Sequence, residues 1–62
     1  MKVVTKFPPS PVNYERVIKI NPNSAPLWVY EFDGFFWKSL RLATTEEIIE
    51  GYKSSSVEDL KI

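Results

Sequence analysis

Apolar and polar positions alternate with a period of two through three stretches of the chain, then switch to helical spacing after residue 44. Residues 2–7 put Val3, Thr5 and Phe7 on one side and Val4 and Lys6 on the other, a pattern rich in β-branched residues that predicts a strand. Pro8-Pro9-Ser10-Pro11 ends it by removing backbone donors and fixing φ. This stretch also satisfies P-x-x-P, but it lacks the basic flank and long extended context of an SH3-type ligand, so a stiff connector is the expectation. Residues 14–20 predict a second strand, with Tyr14, Arg16, Ile18 and Ile20 facing one way. Asn13 precedes it, and the turn-forming Asn21-Pro22-Asn23-Ser24 follows.

The strongest local signal lies in residues 27–42, where two β-prone runs flank Asp33-Gly34. Asp-Gly suits a two-residue type I′ hairpin loop, whose central positions both need positive φ. Such a loop sets Phe32 opposite Phe35, Tyr30 opposite Trp37 and Trp28 opposite Ser39. One face then carries five rings, Trp28, Tyr30, Phe32, Phe35 and Trp37. The other pairs Glu31 with Phe36, Val29 with Lys38 and Leu27 with Leu40.

After the hairpin, Thr44-Thr45-Glu46-Glu47 forms a T-x-x-E capping box, with Ala43 and Ile48 in hydrophobic-staple positions. The two early glutamates suit the positive end of the helix dipole. Ile48, Ile49 and Tyr52 give an apolar stripe before Gly51 and the serine run, which are expected to end or fray the helix. Ser56 and Asp59 are spaced to cap one more short turn, with Val57 and Leu60 on its apolar side. The pattern predicts a single α+β domain over residues 1–62: three or four antiparallel strands, a central Asp-Gly hairpin and one capped helix.

Composition narrows the chemistry. With 62 residues, no Cys and no His, the chain has no disulfide, thiolate nucleophile, imidazole base or Cys/His zinc site. A chain this short buries only about 60% of its unfolded surface, which leaves packing, within the chain or against a partner, as the stabiliser. No Gly-rich phosphate loop or nucleophile elbow is present. Capping and exposure account for Glu46, Glu47 and Glu50. Glu31, beside Phe36, is the one carboxylate whose burial could perturb it, against the simpler reading of a strand residue paired with Lys38. No catalytic residue, metal site, cofactor or small-molecule substrate is therefore expected. The longest apolar runs fall far short of the ~18 to 20 residues that span a bilayer, and residues 1–6 contain no signal-peptide core. A cytoplasmic protein without membrane association is the expectation.

Charge divides the chain. Residues 1–41 hold Lys2, Lys6, Arg16, Lys19, Lys38 and Arg41 against Glu15, Glu31 and Asp33, a net of +3, and the remainder carries −3. Rings beside Lys38 and Arg41 could stack the bases of a single strand, but zero net charge supplies little phosphate neutralisation. Packing favours a different partner. One short helix covers only one face of the sheet, and an uncovered apolar face usually marks an interface. The competing reading makes the five rings the core beneath the helix. The predicted interface is Trp28, Tyr30, Phe32, Phe35 and Trp37, with Lys38 and Arg41 as rim charges, binding another protein or a second copy of the chain.

Residues 36–48, Phe-Trp-Lys-Ser-Leu-Arg-Leu-Ala-Thr-Thr-Glu-Glu-Ile, resemble the strand-to-helix ending of many small bacteriophage and prophage accessory proteins, in which an aromatic or Arg-bearing strand leads into Ala-Thr-x-Glu-Glu-Ile. Thr45 stands where Pro is frequent in that pattern. The resemblance implies a phage accessory protein that binds and modulates or inhibits a host bacterial protein in the host cytoplasm. It carries no site residues with it.

Overall fold

The computed structural model describes residues 1–21 and 24–61. Four strands, β1 (Lys2–Val4), β2 (Arg16–Asn21), β3 (Ser24–Phe32) and β4 (Trp37–Leu42), form one sheet in the order β1-β2-β3-β4, followed by helix α1 (Thr45–Ser54). The α+β class is as expected, but the sheet is mixed. β1 runs parallel to β2, whereas β2, β3 and β4 are successively antiparallel. The prolines explain the departure. Pro8, Pro9 and Pro11 disfavour a tight return, so the chain leaves β1 at Thr5 and crosses the sheet before entering β2 in the same direction. β1 is accordingly shorter than the strand expected over residues 2–7. Tyr14 lies outside β2, and the centre of the turn expected at Asn21-Pro22-Asn23-Ser24 falls outside the described residues.

Both faces of the sheet are covered. Val3, Ile18 and Val29, aligned by register across β1, β2 and β3, are fully buried on one face, where Ile20, Leu27, Ala43 and Leu60 pack against them. Helix α1 crosses from β4 to lie against β1 on this face. Val4 and Val17, 2% and 1% exposed, belong to the opposite face by the alternation of strand side chains. The connector, residues 5–15, covers that face. Its Phe7 ring stacks on Trp37 at 4.9 Å and meets Tyr30 edge-on at 5.1 Å, while Lys19 Nζ lies 5.4 Å from the Phe7 centroid. Phe7, whose partners lie far away in sequence, thus covers the face that a single helix would leave bare.

The hairpin register also differs from the expected one. Phe32 pairs with Trp37, Glu31 with Lys38 and Tyr30 with Ser39, so a loop of residues 33–36 replaces the two-residue turn. Asp33 causes the widening. Its Oδ1 accepts hydrogen bonds from the backbone N–H groups of Phe35 and Phe36, both at 2.8 Å, and its own N–H donates to Phe36 O at 3.1 Å. Gly34 takes the positive φ of +102° that the loop requires. Because the shift is two residues, Tyr30, Phe32 and Trp37 keep a common face. A bulge at Leu40 then moves the rest of β4, setting Val29 opposite Arg41 and Trp28 opposite Leu42.

Helix α1 begins as the capping box predicts. Glu47 N–H donates to Thr44 Oγ1 at 3.1 Å, and Thr44 N–H donates to Glu47 Oε1 at 2.9 Å. It continues through Gly51, which is buried against Val3, instead of ending there. The second box also forms: Ser56 N–H reaches Asp59 Oδ2 at 2.9 Å, and Asp59 N–H reaches Ser56 Oγ at 3.2 Å. This C-terminal segment closes the outer edge of β1. Val3 N–H donates to Ser55 Oγ at 2.8 Å, and the Ser55 hydroxyl lies within 2.8 Å and 2.7 Å of the carbonyl oxygens of Val3 and Gly51. Farther along, Thr5 N–H donates to Asp59 O at 2.8 Å, and the Thr5 hydroxyl also reaches Lys61 O.

Arg41 extends the first box by a two-pronged ion pair, Nη1 to Glu47 Oε1 at 2.6 Å and Nη2 to Oε2 at 2.7 Å. The Arg41 guanidinium, followed by the Thr44 N–H, pulls the Glu47 carboxyl from an ordinary 4.5 down to about 2. A carboxyl whose pKa is depressed by folding stabilises the fold above its unfolded value and loses that contribution as pH falls through the folded one. The Tm is therefore expected to fall as pH drops from about 4.5 to about 2. Thermal melts across that window should show a smaller fall in Glu47→Gln. An identical pH profile in the variant would detach Glu47 from the effect.

Candidate functional site

The chain's most exposed rings gather at the end of the sheet where β3 turns into β4. Phe35 and Phe36 are 82% and 73% exposed, and Tyr14 is 70% exposed. The Asp33 bonds fix the turn that presents the two phenylalanines. The Phe36 and Phe35 amides lower the Asp33 carboxyl below its usual range, so its charged, bond-accepting form is the favoured one. Tyr14 is brought alongside by the backbone. Its N–H donates to Phe32 O at 2.6 Å, and Phe32 N–H donates to Glu15 O at 2.9 Å. Asn13 borders the turn, its Oδ1 lying 3.3 Å from where a Cβ on Gly34 would sit.

Tyr14 adopts φ of +67°, a left-handed conformation that disfavours a bulky residue by roughly 1–2 kcal/mol. Its N–H bond to Phe32 and the adjacent Glu15–Phe32 bond hold it there. Val12, 66% exposed, extends the apolar surface along the chain, and Val12 N–H donates to the Glu15 carboxylate at 3.1 Å.

The sequence-predicted residues divide among three environments. Trp28, Tyr30, Phe32 and Trp37 share a sheet face and are half-buried, with Phe7 against two of them. Phe32 also lies 5.4 Å from Trp37, centroid to centroid. Phe35 stands apart in solvent at the turn. Lys38 and Arg41 are exposed on β4, Lys38 3.5 Å from Asp33 and Arg41 clasped by Glu47. Glu31 takes Arg16 as its ion-pair partner, with Nε to Oε2 at 2.9 Å, instead of Lys38.

Tyr14, Phe36, Leu40 and Leu42 are exposed apolar residues outside the predicted interface. For Phe36 a signal existed, since three consecutive rings after Gly34 cannot all face one way on a strand. Tyr14 gave none, because period-two spacing fits it equally well inside β2.

Met1, Glu46, Glu47 and Glu50 line a shallow groove elsewhere, where the Arg41 clasp already engages Glu47. Among the described residues, no group of three or more Asp or Glu is arranged to hold a metal ion, and no helix is long and apolar enough to cross a membrane. Comparison with protein-family models, curated proteins and solved structures finds no match.

Proposed function

We propose that this chain works as a non-enzymatic protein-binding module whose contact surface is the β3–β4 end of the sheet. The carrying observation is the exposure of Tyr14, Phe35 and Phe36 on a turn and loop joined by backbone hydrogen bonds. Aromatic side chains held in place before binding lose little conformational freedom on association and are enriched among the residues that dominate interface energies. A host bacterial protein is the partner implied by the phage-like residues 36–48. Single-strand binding is less well served, because Phe7 stacks on a face of Trp37 that a base would use.

Phe35→Ala combined with Phe36→Ala tests the reading. Both rings are largely in solvent, so the double variant should keep its stability to within about 0.5 kcal/mol. Its affinity for a partner recovered with the unaltered protein should fall at least roughly 30-fold, as expected on losing a hot-spot side chain. Undiminished binding by a folded double variant would overturn the assignment of this surface.

A further inference from the structure

The two edges of the sheet are treated differently. Ser55 bonds to Val3 of β1, and Asp59 and Lys61 to Thr5 just beyond it, whereas β4 is exposed over Lys38, Ser39, Leu40, Arg41 and Leu42, with no described backbone group of residues 37–39 bonded along its outer side. We propose that β4 receives an extended segment of a partner protein, laid along residues 37–39 with an acidic side chain opposite Lys38. This rests on the protein-binding reading and specifies the kind of partner.

The backbone fixes where such a segment bonds. Asp33 N–H to Phe36 O marks a hydrogen-bonded pair, so alternation makes Glu31 and Lys38 the next one. The N–H and C=O of Trp37 and Ser39 then turn outward, ready for an added strand. Lys38 lies between them, at the position where facing side chains of an added antiparallel strand come closest.

Charge selects the occupant. Arg16, Glu31 and Lys38 form one row across β2, β3 and β4, alternating plus, minus, plus. A carboxylate opposite Lys38 continues that alternation. Among the described residues Lys38 makes an exposed ion pair with Asp33 at 3.5 Å, and with 60% of its side chain accessible it can turn toward such a carboxylate.

A second copy fits poorly. A two-fold pair would run β4 antiparallel to itself. The register using the outward groups of both Trp37 and Ser39 sets Lys38 opposite Lys38 of the other copy. Bonding Trp37 to Leu42 instead sets Lys38 opposite Arg41. Both oppose like charges, and the Leu40 bulge interrupts a longer ladder.

The test is selection from a library of random linear peptides on the intact chain, followed by amide hydrogen exchange with the best binder. Binders should carry an acid within a β-prone run and should slow exchange at Trp37 and Ser39. Lys38→Glu should weaken an acidic binder roughly tenfold and restore binding when its acid becomes Lys. Ser39→Pro removes an outward N–H at an edge position and should weaken it similarly, and Lys38→Glu decides the matter should that variant fail to fold.

Binders without acids, or ones protecting only the turn at residues 33–36, overturn strand addition while leaving the protein-binding reading intact. A dimer in sedimentation that protects Trp37 and Ser39 overturns it in favour of a second copy. Absence of any binder, together with no protein partner sensitive to Phe35→Ala and Phe36→Ala, removes both proposals.

Discussion

Ile18→Ala is expected to bring the domain to the edge of unfolding at room temperature. Ile18 is 0% exposed and pairs with Val3 on one side and Val29 on the other, so it is the middle member of a row that spans three strands beneath the helix. Removing its outer carbons forfeits their transfer free energy and leaves a cavity, together about 2–5 kcal/mol for such truncations. A chain of 62 residues, at roughly 0.05–0.15 kcal/mol per residue, has only about 3–9 kcal/mol of net stability.

Each kcal/mol shifts the Tm of a domain this size by about 4–8 °C, so calorimetry should show a fall of roughly 8–40 °C or the loss of a cooperative transition. Val57→Ala, at a side chain 82% exposed, serves as the control and should move the midpoint little. A fall under about 5 °C for Ile18→Ala would mean that the sheet-helix core does not hold the fold together as its geometry requires.

The contrast between local and distant signals explains what could be read from the chain. Thr44 and Glu47 are three residues apart, and their reciprocal bonds form as the spacing predicts. Ser56 and Asp59 repeat the device. The hairpin was legible as an element but not in register, because the Asp33 side chain closes a wider loop by binding Phe35 and Phe36 instead of leaving a two-residue turn.

Longer-range features were not legible. The parallel direction of β1 depends on a connector that crosses the sheet, and the cover over the ring face depends on Phe7 meeting Tyr30 and Trp37 from that connector. The candidate surface is correspondingly divided. Lys38 and Arg41 could be read as rim charges from sequence and Phe35 only as one of five rings on a face that was either interface or core, whereas Tyr14 reaches the turn only through its bond to Phe32 and a left-handed backbone that no periodicity encodes.

Gly51→Ala carries the other large expectation, and its sign depends on the same kind of distant contact. In an exposed helix interior, replacing Gly by Ala stabilises by about 1 kcal/mol. At position 51 the added Cβ would lie 2.7 Å from Val3 Cγ2, 3.1 Å from Met1 O and 3.4 Å from Ile18 Cδ1. The first separation is too short for carbon atoms, and a backbone oxygen bounds the site beside it, so relief requires the helix to lift from β1. Lifting also strains the Ser55 bonds to Val3 that close the sheet edge. Overpacking of a tight core costs about 1–3 kcal/mol, which outweighs the gain in helix propensity.

Urea denaturation should therefore give Gly51→Ala a lower midpoint, with a net loss of about 1–2 kcal/mol. Gly51→Leu, whose side chain has no room without detaching α1, should lose about 3 kcal/mol or more. Lys53→Ala in the last turn is the matched control and should stay within about 0.5 kcal/mol of the parent. A Gly51→Ala protein more stable than the parent would place the helix away from Val3. The apolar row of Val3, Ile18 and Val29 would then need a different cover, and glycine would revert to the helix-ending role that its sequence position suggests.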